Sequence, residues 1–268
     1  MRIPQTLARN CRTTPERQAW LDRLPDLLLR LEVQWSICIG EPLDQNATCS
    51  WVAPVTRANA EPAVLKLAMP HMEGRDEIAG LRFWNGKCTA RLLEADPDSG
   101  SMLIERCLPG TSLHSESETT QDEIIAQLLR KIWSQTCPDS DLSSFRPLAQ
   151  MVDFWRQETM AQRHLWPDED LVEEGLAVLA DLARPAPTDV LLATDLHAGN
   201  VLRSEREPWL VIDPKPFVGD RAYDLVQHLF NCEARFHGDP LGLVHRVAEL
   251  AEVDANPSSS LGVWKSRV

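Results

Sequence analysis

The sequence is short of positive charge, and this limits the partners it can bind. Its 27 lysines and arginines stand against 40 aspartates and glutamates, which leaves a formal net charge of -13. A surface of this sign repels phosphate backbones and anionic lipid headgroups, so we expect neither nucleic acid nor a membrane as a partner. The same field attracts small cationic molecules.

The cysteines lack the spacing of a metal site, and the chain lacks long apolar runs. Seven cysteines are scattered along it without a C-x-x-C pair, which argues against a disulfide framework and against a zinc site. No stretch approaches about 18 apolar residues, and the first residues contain no apolar core of a signal peptide. These absences predict reduced thiols and a cytoplasmic protein.

The chain does contain enough apolar sequence for a large core. It has 268 residues, of which 43% are hydrophobic and 25% charged, as in ordinary soluble globular proteins. At roughly 150 residues per domain, this length predicts two folding units, or one domain with two lobes, that need neither disulfides nor metals for stability.

Local patterns predict a β-rich first part. Apolar residues at helical spacing predict one or two leading helices over 15–32, where Pro25 either kinks the helix or starts a second one. Short β-favouring runs follow, in the order QWSICIG, TCSWVAPV, AVLKLA, TARLLEA and SMLIERC, and GRDEIAGLRFW before the fourth run has helical spacing. Leu108-Pro109-Gly110 then predicts a break.

The second part is mainly helical. Thr120 and Glu123 have the spacing of a capping box before an amphipathic helix. Further helices are predicted near 148–165, 169–183, 220–235 and 241–252. Short strands are predicted between Val190 and Ile212. The predicted fold class is α+β, with an antiparallel β-lobe in residues 1–108 and a mainly helical lobe in residues 109–268.

Three polar residues lie beside short apolar strands in VLLATDLHAGNVLRSEREPWLVIDPKPF. Asp195 and Asn200 have a D-L-x-x-x-N spacing, and Asp213 follows a predicted hairpin. Phosphoryl transfer needs such groups: a carboxylate to orient and deprotonate a hydroxyl, and an amide with a second carboxylate to bind magnesium. Each residue alone is typical of a turn. Their joint arrangement favours a kinase.

This segment resembles the catalytic and metal-binding segments of aminoglycoside phosphotransferases, especially the branch of aminoglycoside and hydroxyurea antibiotic resistance kinases that includes streptomycin 6-kinases. AVLKLA is similar to the family's lysine-bearing strand, and GDRAYDLVQHLFN is similar to the helix after its metal-binding segment. The resemblance covers about residues 20–252. It implies a protein-kinase-like two-lobed fold that binds Mg-ATP in the cleft between the lobes.

The resemblance also implies how ATP is held. Lys66 would contact the α- and β-phosphates, and Glu77 would pair with Lys66, with Glu73 as the alternative partner. The adenine would bind the backbone of a hinge, IERCLPG, where Glu105 offers its carbonyl and Cys107 its amide.

The chemistry follows from the same resemblance. Asp195 would be the catalytic base, or the group that orients the acceptor hydroxyl. Asn200 and Asp213 would ligate Mg²⁺, the implied cofactor. His197 would support the loop by hydrogen bonds, and Asp224 would brace it from a following helix.

The chain departs from the family pattern in several places. Ala193 and Thr194 stand where the family commonly has histidine and glycine, and Pro214 follows Asp213 as in small-molecule kinases. LDQNATCSWV offers polar side chains in place of a glycine-rich phosphate loop. The sequence ends in the polar tail ANPSSSLGVWKSRV, where the family continues through further helices.

The resemblance implies ATP-dependent phosphorylation of a hydroxyl on a small cationic acceptor, an aminoglycoside such as streptomycin. Asp220 and Glu233 are candidate contacts for this acceptor, or part of a solvated acidic helix face. Two alternatives stay open: a catalytically weak nucleotide-binding protein with a truncated acceptor lobe, and a kinase of a metabolic sugar or amino alcohol. The oligomeric state and the choice between ATP and GTP are left open by the sequence.

Overall fold

The computed structural model describes residues 2–43, 48–135, 142–166 and 168–254, and the side chains of residues 73 and 74 fall outside this description. The chain forms two compact units, Met1–Gly110 and Thr111–Val268. The middle of the polar turn LDQNATCSWV, the polar tail and the side chain of Glu73 therefore lie outside the described part. Within that part, no helix is both long and apolar enough to span a bilayer.

The first unit is built on a five-stranded antiparallel sheet. Its elements are α1 (Gln5–Cys11), α2 (Pro15–Gln34), β1 (Ile37–Ile39), β2 (Ser50–Arg57), β3 (Pro62–Ala68), α3 (Glu77–Trp84), β4 (Leu92–Asp96) and β5 (Ser101–Glu105). The strand order is β1-β2-β3-β5-β4. The predicted antiparallel strands are present. β5 lies between β3 and β4 and pairs antiparallel with both, and α3 connects β3 to β4 along the chain.

The leading helix α2 continues through Pro25. Thr14 caps it, since its Oγ1 accepts a hydrogen bond from the Arg17 N–H at 3.3 Å. Pro15 occupies the first turn of α2. The N–H groups of a first turn have no acceptor within the helix, so the N–H that proline lacks costs no hydrogen bond. The possibility that Pro25 starts a second helix is therefore wrong. The apolar side of α2 packs in one core cluster with strands β2 and β3.

The alternation of side chains along β3 places Lys66. Leu65 and Leu67 are buried in the core cluster that contains α2. Val64, two residues before Lys66, packs instead with Ile78 of α3. Since residues two apart in a strand share a face, Lys66 points to the side of the sheet that α3 covers.

The second unit is mainly helical. Its elements are α4 (Glu118–Trp133), α5 (Leu148–Ala161), α6 (Glu169–Leu182), β7 (Val190–Leu192), β8 (Val201–Ser204), β9 (Trp209–Val211), β10 (Phe217–Gly219), α7 (Asp224–Asn231), α8 (Glu233–Gly238) and α9 (Pro240–Ala251). Strand β6 (Pro109–Ser112) spans the point at which the units divide. β8 and β9 form an antiparallel hairpin, and β7 pairs with β10.

Two local predictions in this unit are wrong. Helix α4 begins three residues earlier than predicted, because the extended Ser117 caps it and accepts a hydrogen bond from the Thr120 N–H at 3.3 Å. The predicted single helix over 220–235 is divided, because Cys232 takes a non-helical conformation between α7 and α8.

A buried ion network joins four helices of the second unit. Asp122 of α4 is fully buried. Its carboxylate bonds His228 of α7 at 2.8 Å, Arg235 of α8 at 2.7 Å and Arg246 of α9 at 3.0 Å. Asp122, His228 and Cys232 are residue types that ligate metals. Both carboxylate oxygens already bind guanidinium groups, so the geometry is that of an ion-pair network.

The pKa of Asp122 reflects this network. Burial is the largest influence and would raise the pKa of the carboxyl. Hydrogen bonds from His228, Arg235 and Arg246 together outweigh burial and hold the pKa of Asp122 well below its ordinary value. The carboxylate is therefore ionised in the folded protein and ties the four helices together.

Candidate active site

The first unit contains a buried ion pair between a strand and a helix. Lys66 Nζ lies 2.7 Å from both Oε1 and Oε2 of Glu77, and both residues are buried. The pair forms because β3 turns Lys66 toward α3, whose first residue is Glu77. Charged groups are costly to bury unless they are paired, so each fixes the position of the other.

The hinge predicted at IERCLPG begins where β5 ends. The Glu105 N–H donates to the Arg91 carbonyl at 2.8 Å, and the Glu105 carboxylate accepts from the Arg91 N–H at 3.0 Å. Cys107, two residues later, is buried. These contacts tie the end of β5, where the predicted hinge begins, to Arg91.

The loop after β7 carries Asp195, which is about a quarter exposed, with 26% of its side chain accessible. Asp224 of α7, which is buried, fixes the position of this loop. The Asp224 carboxylate accepts hydrogen bonds from the Ala193 N–H at 3.0 Å and the Thr194 N–H at 2.6 Å, and from Trp133 Nε1 at 2.8 Å. Burial raises the pKa of Asp224 to about 6, although the three hydrogen bonds oppose this shift.

His197 also supports the loop. Its Nδ1 accepts a hydrogen bond from the Gly199 N–H at 3.1 Å and caps the short turn Ala198–Asn200. Burial is the main cause that lowers the pKa of His197, and the Asp195 carboxylate opposes it. A neutral imidazole suits this acceptor role.

The β8–β9 hairpin brings the three predicted chemical residues to one end. Val201 pairs with Val211, and the Ile212 N–H donates to the Asn200 carbonyl at 2.9 Å. Asn200 and Asp213 therefore flank the same end of the hairpin. The Asn200 amide donates to the Asp195 carbonyl at 2.9 Å, and this bond links the end of the hairpin to Asp195.

A fourth residue, the charged Lys215, belongs to this cluster. Its ammonium forms an ion pair with Asp195 Oδ2 and lies 3.7 Å from Asp213 Oδ1. Lys215 is not among the residues that the sequence motif predicted for the site. Its position two residues after Asp213 in the same motif was the available signal, but a lysine after a Pro commonly lies on the solvated surface.

The donor set at this end of the hairpin fits magnesium. Magnesium prefers hard oxygen ligands such as carboxylates and amide oxygens. The bond that Asn200 makes through its nitrogen leaves Oδ1 as the other polar atom of the side chain. Asp213, 38% exposed, adds a carboxylate. These two residues would hold the ion.

Comparison with known proteins shows which family this chain is related to. The model of the aminoglycoside/hydroxyurea antibiotic resistance kinase family matches residues 38–257. The chain belongs to this family. A streptomycin 6-kinase from Streptomyces glaucescens is 36% identical over 83% of the chain and 73% of the relative. A hydroxyurea phosphotransferase from Kitasatospora aureofaciens is 34% identical over 79% of the chain and 62% of the relative.

Solved structures agree on the fold. A choline kinase from Streptococcus pneumoniae is 17% identical with a TM-score of 0.58, covering 88% of this chain and 83% of that one. A spectinomycin phosphotransferase is 15% identical with a TM-score of 0.55, covering 87% and 81%. The predicted α+β, protein-kinase-like fold is confirmed. Membership of the family and the curated relatives confirm the prediction of a phosphotransferase with an alcohol group as acceptor.

The site residues divide between the two units of this family member. Lys66, Glu77, Glu105 and Cys107 lie in the first unit. Asp195, Asn200 and Asp213 lie together in the second. Their roles toward ATP and Mg²⁺ stay predictions. Of the candidate acceptor contacts, Asp220 accepts a hydrogen bond from the Ala222 N–H at 2.8 Å, and Glu233 is exposed on α8.

The structure explains the departure at Thr194, where the family pattern has glycine. Thr194 has a φ of 48°, in the left-handed region that a β-branched side chain rarely adopts. Its hydroxyl donates to the Lys215 carbonyl at 2.5 Å. This bond offsets part of the backbone strain, and it ties the loop that carries Asp195 to the segment after Asp213.

We expect glycine to be better tolerated than alanine at Thr194. Thr194→Ala removes the hydroxyl and keeps the strain, so the free energy of unfolding should fall by about 1–2 kcal/mol. Thr194→Gly also removes the strain and should be about 1 kcal/mol more stable than Thr194→Ala. Urea denaturation measures both. At Gln157, an exposed helical position, the glycine variant should instead be less stable than the alanine variant. If glycine were the less stable variant at Thr194 as well, the assigned strain would be contradicted.

Proposed function

We propose that this protein transfers the γ-phosphoryl group of ATP to a hydroxyl of an aminoglycoside such as streptomycin. The cluster of Asp195, Asn200 and Asp213 at one end of the β8–β9 hairpin carries the proposal. The streptomycin 6-kinase at 36% identity supports this acceptor class. The formal charge of -13 supports it as well, because it favours a cationic acceptor.

Each residue has a defined part in the proposed reaction. Lys66 binds the α- and β-phosphates, and Glu77 keeps its ammonium in place. Glu105 and Cys107 bind the adenine through their backbone. Bound Mg²⁺ would neutralise phosphate charge; Asn200 and Asp213 offer the oxygen ligands for it.

Asp195 acts on the acceptor. Its partly exposed carboxylate orients the acceptor hydroxyl and takes its proton as the oxygen bonds to the γ-phosphorus. The bond between the γ-phosphorus and the bridging oxygen breaks, and ADP leaves with the electron pair.

A substrate panel tests the proposal. Purified protein with Mg-ATP is offered streptomycin, other aminoglycosides, hydroxyurea, choline and simple sugars, and ADP release is measured. We expect release above background with streptomycin or a related aminoglycoside. Release only with a sugar or an amino alcohol would replace the proposed acceptor class. If the protein binds nucleotide but releases no ADP with any acceptor, the alternative of a catalytically weak nucleotide-binding protein would be favoured.

A further inference from the structure

Lys215 is held close to the reacting groups by its own backbone. Its N–H donates to the Ala193 carbonyl at 2.8 Å, and its carbonyl accepts from the Thr194 hydroxyl at 2.5 Å. Only 12% of its side chain is exposed. A long cationic side chain normally reaches into water, so the fold directs this ammonium toward the two carboxylates of the site.

The position of the ammonium relative to the reaction follows from its contact with Asp195. A base must lie within about 3 Å of the hydroxyl whose proton it takes. The acceptor oxygen and the ammonium of Lys215 are therefore neighbours on the same carboxylate. A phosphoryl group that bonds to that oxygen comes within reach of the ammonium, which has three N–H donors to divide among its partners.

The charges of the cluster need such a cation. Asp195 and Asp213 are both acidic, and the transferred phosphoryl group carries further negative charge. Without a cation at this place, Asp195 would repel the group that has to reach the acceptor. Lys215 lies between these charges, since it contacts Asp195 and stands 3.7 Å from Asp213.

We propose that Lys215 is a catalytic residue that donates a hydrogen bond to an oxygen of the transferred phosphoryl group, and that its ion pair with Asp195 aims it there. This inference rests on the proposed function. In the step itself, the acceptor oxygen bonds to the γ-phosphorus, its proton goes to Asp195, and the bridging oxygen leaves on ADP. Lys215 keeps its protons and stabilises the charge on the phosphoryl oxygens.

Nucleotide binding tests the role of Lys215 independently of the acceptor. Calorimetry measures the affinity of the full chain, with magnesium, for ADP and for an ATP analogue with a non-transferable γ-phosphate. Lys215→Met should weaken binding of the analogue about tenfold or more and change ADP binding less than about twofold. Lys215→Arg should recover most of the lost affinity. Lys131→Met, at an exposed position of α4, is the matched control.

The outcomes separate this inference from the proposed function. If Lys215 only held Asp195 in place, Lys215→Met would slow transfer and leave the affinity for the analogue unchanged, which overturns the inference. Equal weakening of ADP and analogue binding overturns it too, because the effect would not depend on the γ-phosphate. A wild-type protein that binds neither nucleotide overturns the proposed function itself.

Discussion

Replacing Asp195 with asparagine should lower the rate of phosphoryl transfer by about 10²–10⁴-fold and leave ADP affinity within about twofold. An amide keeps the size of the side chain but cannot take the proton of the acceptor hydroxyl. The nucleotide contacts assigned to Lys66, Glu105 and Cys107 lie in the first unit and are unchanged in this variant. The measurement is acceptor-dependent ADP release, with the affinity for added ADP measured alongside by calorimetry.

Asp26→Asn controls for the loss of one negative charge, because Asp26 is exposed on α2 and has no assigned chemical role. Its transfer rate should equal that of the wild type. Near-normal turnover by the Asp195→Asn protein would remove Asp195 from the reaction. A large loss of ADP binding in that variant would assign Asp195 to nucleotide binding instead.

Replacing Asp122 with asparagine should cost about 3 kcal/mol of unfolding free energy, because it leaves His228 and two arginines without their shared carboxylate. Urea denaturation followed by tryptophan fluorescence measures this loss. Asp153→Asn, at an exposed site of α5, should change stability by less than about 0.5 kcal/mol. Because Asp122→Asn could leave too little folded protein, Arg246→Met provides a second variant that removes one partner and should cost less.

The pH dependence of stability gives an independent check on Asp122. Its pKa is lower in the folded than in the unfolded protein, so the native state binds this proton more weakly. The stabilisation is fully present above the unfolded pKa of about 4 and is lost as the pH falls below it. The stability difference between wild type and Asp122→Asn should therefore shrink as the pH falls below about 4. A difference that stays constant there would contradict the assigned network.

The order of elements was predictable from the sequence because it depends on neighbouring residues. Short β-favouring runs predicted the five strands of the first unit, and helical spacing predicted α2, α3 and α6. Element ends were less predictable. The start of α4 depends on which hydroxyl caps it. Ser117 and Thr120 were both chemically suited to this role, and it is Ser117 that accepts from the Thr120 N–H.

In the candidate site, too, the residue types were predictable from the sequence and the backbone conformation was not. The residue types of Asp195, Asn200 and Asp213, together with their spacing, are enough to indicate phosphoryl transfer. The strain at Thr194 could not be predicted, because a φ of 48° arises from the bonds that hold the loop on both sides.

The sequence by itself determined the chemistry that this protein can carry out, its fold class and its net charge, because these depend on residue types and short-range periods. Only the tertiary structure decided which partners the charged side chains contact. Lys215 joins Asp195 across 20 residues, Asp224 reaches Ala193 across 31, and Arg246 reaches Asp122 across 124. Such pairs depend on how helices and strands pack, and no local period in a sequence records the distance between two side chains that folding brings together.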